Sequence, residues 1–288
     1  MSQLILLFFY FCSLLFGTHL SAALKHYPFA NEPIDVVIPS TDKDLLTLDL
    51  CIQGIKSNCS QVRRVIVVSS RPMTDLAEWF DEAAFPFNKD DVELHLLKGK
   101  RKAIRKYNGD RSRVGWYFQQ LLKFYAPLVI PNISSNVLIL DSDTIFLNPV
   151  EFLDANNGGL YNPSNENHPP YFAHAARFLP GLRKLYPEYS GIAHHTLFQL
   201  PVLQDLFSSV ENYHKMPFWK AFCLCVDPKE FLKSGAAEPE IYFNFAFERT
   251  DQVHIRFLKW ANINSIDNLQ SYKDQGYHYI SCHAWSRG

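Results

Sequence analysis

Three short, almost wholly apolar runs constrain this chain more than any other feature. They are Ile34-Asp35-Val36-Val37-Ile38 closed by Pro39, Val65-Ile66-Val67-Val68, and Val137-Leu138-Ile139-Leu140. Runs this short, rich in β-branched residues and bounded by turn formers, read as buried strands rather than helices. Helical patterns separate them. Ser40-Thr41-Asp42 supplies a turn and N-cap candidates for a helix running to about Ser57. A helix from about Asp75 to Ala84 and a strand from Val92 to Leu97 are expected next. Val114 to Ala126 is amphipathic, with Val114, Phe118, Leu121, Leu122 and Tyr125 as its apolar stripe, while Trp116, Gln120 and Lys123 share another face. Such alternation predicts an α/β protein, Rossmann-like, with a mostly parallel sheet flanked by helices.

In sheets of this kind ligands sit beyond the carboxyl ends of the strands. Pro39, Ser40 and Thr41 are therefore expected at a site, as is Ser69-Ser70-Arg71. The chain carries no G-x-G-x-x-G and no Walker loop, which argues against a standard dinucleotide or P-loop protein. With 28 Lys+Arg against 29 Asp+Glu the formal charge is −1, so no nucleic-acid partner is expected. Hydrophobic residues at 47% and charged residues at 20% are ordinary for a globular chain. From Gly158 onward Gly, Pro, Asn and His rise, but no linker separates the halves. Residues 24–288 are read as a single domain with an elaborated C-terminal half.

Residues 1–23 contain no Asp, Glu, Lys or Arg, and Leu4 to Phe16 is almost wholly apolar before the small run Ser21-Ala22-Ala23. The segment reads as a signal peptide cleaved near Ala23 or Leu24, as an uncleaved anchor giving membrane association through the N-terminus, or as a buried N-terminal helix. Export or membrane anchoring is the expected localisation. Beyond Cys12 the chain has five cysteines; Cys51 and Cys59 are close enough in sequence to bridge, and buried thiols are the alternative. Asn58-Cys59-Ser60 and Asn132-Ile133-Ser134 fit glycosylation sequons.

The strongest chemical signal is the third apolar run, which leads straight into Asp141-Ser142-Asp143. If the chain stays extended, both carboxylates lie on one side. Two convergent carboxylates repel unless a cation joins them. A hard divalent ion with oxygen ligands, sharing its shell with phosphate, answers that need; a strand-end turn with Asp as a helix cap is the plainer reading. Lys98 to Arg113 holds eight basic residues and one acid, Asp110: a solvated loop, or a cationic loop closing over a diphosphate or an anionic acceptor. Lys123 is a separate phosphate-contact candidate.

The stretches LILDSDTIFLNP (138–149) and GWYFQQLLKFYA (115–126) resemble nucleotide-sugar glycosyltransferases of the GT-A fold, and most closely a poorly characterised bacterial glycosyltransferase-like family. His194-His195-Thr196-Leu197-Phe198, Glu240-Ile241-Tyr242-Phe243-Asn244-Phe245 and Tyr279-Ile280-Ser281-Cys282-His283-Ala284-Trp285 extend the likeness. The resemblance implies a GT-A-like fold and a Mn²⁺ or Mg²⁺ ion held by Asp143 and His283, with Asp141 on the ion or the ribose. It also implies donor contacts around Pro39, Ser40, Thr41, Trp116, Gln120 and Lys123. Glu240 is the candidate base for the acceptor hydroxyl, with Glu238 as its substitute. His194, His195 and Trp285 are candidate acceptor contacts; adjacent histidines on a strand face opposite ways, so at most one of that pair is expected at the site.

The function so implied is metal-dependent transfer of a sugar from a nucleoside-diphosphate donor to an unidentified hydroxyl on a glycan, lipid or protein. A metal-dependent nucleotidyltransferase or phosphoesterase uses similar carboxylates, and a catalytically silent sugar-binding or effector protein would share the scaffold.

Overall fold

The computed structural model describes residues 24–99 and 112–284. The N-terminal 23 residues, most of the basic run and Trp285 lie outside the described residues. Among those described, no helix is long and apolar enough to cross a membrane.

The apolar runs form the centre of the fold. Ile34–Pro39 is β1, Val62–Ser69 is β2 and Asn136–Leu140 is β4; β1 and β4 are buried throughout, and β2 is buried from Val65 onward. Between β1 and β2 the chain makes a short 3-10 turn at Asp42–Asp44, capped by Thr41, and then helix α1 (Leu45–Asn58). β1 pairs in parallel with β2 on one side and with β4 on the other. With β3 (Glu78–Asp81) and β7 (His195–Gln199) the sheet order is β3-β2-β1-β4-β7; β7 alone runs antiparallel. The fold is therefore mixed α/β, with a mainly parallel central sheet and helices against it, as expected.

Two local expectations are corrected. The stretch expected to be helical carries strand β3 and a 3-10 turn at Glu82–Ala84, and the expected strand at Val92–Leu97 is part of helix α2 (Lys89–Leu97). The reason for the helix lies in its N-terminus: Asn88 accepts from the backbone N–H groups of Asp90 and Asp91, while Asp91 accepts from Asn88 N–H. Val92 and Leu96, four apart, then bury one helical stripe. β3 is an edge strand with half its surface open, so its sequence lacks the apolar continuity of its neighbours.

The remaining elements enclose the sheet. Helix α3 (Ser112–Val129) lies against β1, and α4 (Pro169–Phe178), α5 (Leu200–His214), α6 (Phe218–Cys225) and α7 (Glu238–Arg249) complete the packing. A short pair joins β6 (Leu160–Tyr161) to β8 (His254–Ile255). A smaller three-stranded sheet is ordered β5-β10-β9, from Thr144–Phe146, Tyr279–Ser281 and Trp260–Asn262. It buries its own apolar cluster of Ile145, Leu147, Ile263, Ile280 and Cys282, apart from the main core. Helix α1 is locked to β5 by close approach: a Cβ at Gly54 would lie 2.7 Å from the Phe146 carbonyl oxygen. The Asn58 amide donates to the carbonyls of both Gly54 and Phe146, so the first sequon's side chain is a structural clamp. No disulfide joins the five described cysteines, Cys51 and Cys59 included.

Candidate functional site

The strand order reverses beside β1: β2 follows it on one side and β4 on the other. In open α/β sheets the crevice outside the strand ends at such a point is where ligands bind. Pro39, Ser40 and Thr41 close β1 there, and Asp141-Ser142-Asp143 follows β4 there. Thr41 is occupied in the cap with Asp44. Ser40 is buried and its hydroxyl has no hydrogen-bond partner among the described residues.

Asp141 to Asp143 is not extended. The Thr144 N–H donates to the Asp141 carbonyl, closing a turn that passes the chain from the large sheet into β5 of the small one. The expectation that strand geometry sets both carboxylates on one side is thereby corrected: each carboxylate has its own partners. Asp141 is bonded through one oxygen to the Lys123 ammonium at 2.7 Å, and its other oxygen lies 4.0 Å from His194 Nδ1. Asp143 accepts from the Ser281 hydroxyl at 3.0 Å and from His283 Nδ1 at 2.9 Å. Ser281 and His283 alternate along and just beyond β10, so both reach the same carboxylate. Burial alone would raise the Asp143 pKa, but the His283 hydrogen bond and charge outweigh it and hold it low. Burial likewise opposes charge on His283, and Asp143 overrides it, raising that pKa. The pair is an ion pair bridging the two sheets.

Lys123 is only 5% exposed, and its ammonium is shared between Asp141 and Glu238, the latter at 2.8 Å. Burial disfavours the charge on Lys123, but the two carboxylates raise its pKa despite that. It is thus a buried tie rather than an exposed phosphate contact. Its two neighbours on the same helical face do similar work. Trp116 Nε1 donates to the Ala236 carbonyl and Gln120 Oε1 accepts from Glu238 N–H, so this face holds the start of α7. Burial raises the Glu238 pKa, and its second oxygen has no partner among the described residues.

The two adjacent histidines face opposite ways. His194 joins the cluster, its ring 5.0 Å from that of His283 and 5.1 Å from that of Trp260, and burial pushes its pKa down to about 4. His195 is enclosed by Phe146, Phe152 and Tyr279 in the interior, which removes it from the acceptor contacts. Glu240 is 0% exposed; it accepts from Gly191 N–H at 2.9 Å and from the Asn244 amide, and no hydrogen bond or ion pair among the described residues joins it to Asp141 or Asp143. Burial raises its pKa to about 7. Its place is beneath the 190–194 loop, tied to Gly191 and Asn244 and closed to solvent.

Ser281, Glu166 and Trp260 were not singled out by the sequence. Ser281 had a signal, the two-residue spacing from His283. Glu166 adds a carboxylate whose field helps raise His283, and Trp260 stacks parallel on Tyr279; nothing local in sequence marks either.

Were His283 to give up the proton it shares with Asp143, the two would present one carboxylate and one imidazole at a shared point, with Asp141 beside them. Among the described residues no three His, Cys, Asp or Glu side chains are already gathered to hold an ion alone. An ion there would be completed by substrate phosphate oxygens, as Mg²⁺ usually is, with the imidazole a softer donor than the oxygens that ion prefers.

Residues 32–193 match the model of a family of unknown function (DUF6492). No curated protein matches the chain. Among solved structures the chain is similar to mouse xyloside xylosyltransferase 1 in its apo form, at 12% identity and a TM-score of 0.42, covering 89% of this chain and 99% of that one.

Proposed function

The chain belongs to a family of unknown function, DUF6492, so its activity must be read from the site, and we propose that it is a metal-dependent glycosyltransferase using a nucleoside-diphosphate-sugar donor. The observation that carries this reading is the placement of Asp143, bonded to His283, at the strand-order reversal beside β1. Asp143 and His283 would hold Mn²⁺ or Mg²⁺, and Asp141 would meet the ion or the ribose. The bound ion supplies Lewis-acid neutralisation of the departing diphosphate. The chain's own groups prepare the rest. Lys123 fixes one oxygen of Asp141 and leaves the other facing His194. Ser281 holds one Asp143 oxygen while His283 takes the other. Glu240 pins Gly191 and with it the loop that presents His194. Donor contacts fall to Pro39, Ser40 and Thr41 across the crevice.

The test is donor hydrolysis and transfer across a panel of nucleotide sugars with Mn²⁺, comparing wild type with Asp143→Ala. Loss of about 4 kcal/mol of transition-state stabilisation would slow the variant about a thousandfold. Equal rates would sink the metal assignment. Release of a nucleoside monophosphate in place of the diphosphate would indicate nucleotidyl transfer.

A further inference from the structure

A cavity with about 10 Å³ of room lies along the outer edge of β7. β7 is the last strand of the large sheet, so one of its edges has no neighbouring strand. Its inner edge pairs antiparallel with β4, where the His194 carbonyl accepts from Asp141 N–H. Backbone groups alternate in direction along such a strand, so those of His195, Leu197 and Gln199 point outward. Two of these three residues meet a tyrosine hydroxyl there. Gln199 N–H donates to Tyr242 at 2.8 Å, and the Leu197 carbonyl accepts from Tyr161 at 2.8 Å. At His195 the row continues into the cavity.

The other walls include Gly191 on the loop before β7, Pro239 in the first turn of α7 and Asn162 just past β6. Gly191 N–H is committed to Glu240, and Asn162 lies between Leu258 N–H and the Tyr279 hydroxyl. His195 is the exception. It is 7% exposed, and neither ring nitrogen has a hydrogen-bond partner among the described residues. Burial first, and then the charge of Arg256, keep the ring neutral. A neutral imidazole carries one N–H and one bare acceptor nitrogen. Phe146, Phe152 and Tyr279 stand edge to face with it, and an aromatic face can receive an N–H but cannot donate to the bare nitrogen. No wall residue is a Lys, Arg, Asp or Glu, so an ion would find no counter-charge there. Room of this size suits a single water, and a polar cavity hydrates where an apolar one stays dry.

We propose that this cavity is a binding site for one ordered water, which accepts from the outward N–H of His195 and donates to the bare nitrogen of its ring. The water completes the row of oxygens along the outer edge of β7. It fills the joint between the start of that strand and the loop that carries His194. The site is independent of which ligand the crevice beside β1 takes.

Rotating-frame cross-relaxation NMR between water and the nitrogen-15-labelled full chain tests the site directly. The His195 amide is expected to show a cross peak from a long-lived bound water, opposite in sign to hydrogen exchange. Long-range nitrogen spectra of the His195 ring at pH 7 should show one protonated and one bare nitrogen. The water peak should be lost in His195→Phe, which keeps a flat ring among its aromatic neighbours, and retained in His195→Gln, whose amide oxygen still accepts. Unchanged near-UV circular dichroism would establish that each variant is folded, and the wild-type spectra stand without either. Absence of the bound-water peak in wild type, a ring protonated at both nitrogens at pH 7, or an equally strong peak in folded His195→Phe would each overturn the proposal.

Discussion

His283 donates from Nδ1 to an Asp143 oxygen at 2.9 Å, across 140 positions of sequence. This contact joins the turn after β4 to the end of β10, and a divalent ion would be held at the same two groups. Adding Mn²⁺ with a nucleoside diphosphate should therefore raise the melting temperature of wild type, by mass action on the folded state. Asp143→Ala and His283→Ala should each remove most of that increase. Scanning fluorimetry with and without the ion reads the difference, and equal shifts in all three proteins would count against the site.

Lys123 serves one buried carboxylate, Glu238, and one half-buried one, Asp141, so its loss leaves both without their cation. Breaking such a tie from one side costs more than never having built it, and Lys123→Met should destabilise the protein by about 3 kcal/mol or more. Adding Glu238→Gln to that variant should restore part of the loss, because one uncompensated charge goes. Urea unfolding of the single and double variants measures both quantities.

Gly54 offers a case where propensity and packing disagree. Alanine in a helix gains roughly 1 kcal/mol over glycine. Here its Cβ would meet two backbone atoms of Phe146, at 2.7 and 2.9 Å, and backbone cannot swing aside. Overpacking of this kind costs about 1–3 kcal/mol, and Gly54→Ala should come out net destabilising in thermal unfolding. A higher melting temperature would show that α1 can ride away from β5.

Glu240 should write a slope into the stability curve. Its carboxyl is held near pKa 7 by burial, against about 4.5 for an open glutamate. A raised carboxyl pKa means that the folded state keeps a proton that the unfolded chain releases between those values. The stability associated with that proton is fully present below about pH 4.5 and is lost as pH rises to about 7, by roughly 3 kcal/mol at most. Glu240→Gln should flatten that stretch, as urea midpoints at pH 5 and pH 7.5 would reveal. An equal slope in both proteins would place the titration elsewhere.

The parts of the fold legible in the sequence were those in which one side chain pattern has one use. β1, β2 and β4 are buried on both faces, so their apolar runs could hardly be anything else. Helix α3 announced itself by its stripe. β3 and α2 run against the expectation because an open edge strand lacks apolar continuity, and because the capping box of Asn88 and Asp91 starts a helix where the apolar residues Val92 to Leu97 read as a strand. At the site, Asp141, Asp143 and His283 were found from chemistry and resemblance. Trp116, Gln120 and Lys123 were recognised as a shared polar face but assigned to a ligand, when their partners are Ala236 and Glu238, more than a hundred positions away. Local sequence carries no record of partners at that distance. Trp260 carries no local signal for the same reason, since only its contacts with His194 and Tyr279 bring it to the cluster.

The turn at Asp141–Asp143 passes the chain between two separately packed apolar clusters. Asp141 answers to the larger one through Lys123, and Asp143 to the smaller one through Ser281 and His283. Two neighbouring carboxylates are therefore mounted like the jaws of a clamp on different frames. Under the proposed metal reading, ion affinity would report how the frames are docked, and a substitution in the Ile145–Ile280 cluster, next to the turn and to Ser281 in sequence, would detune the grip without touching a single donor atom.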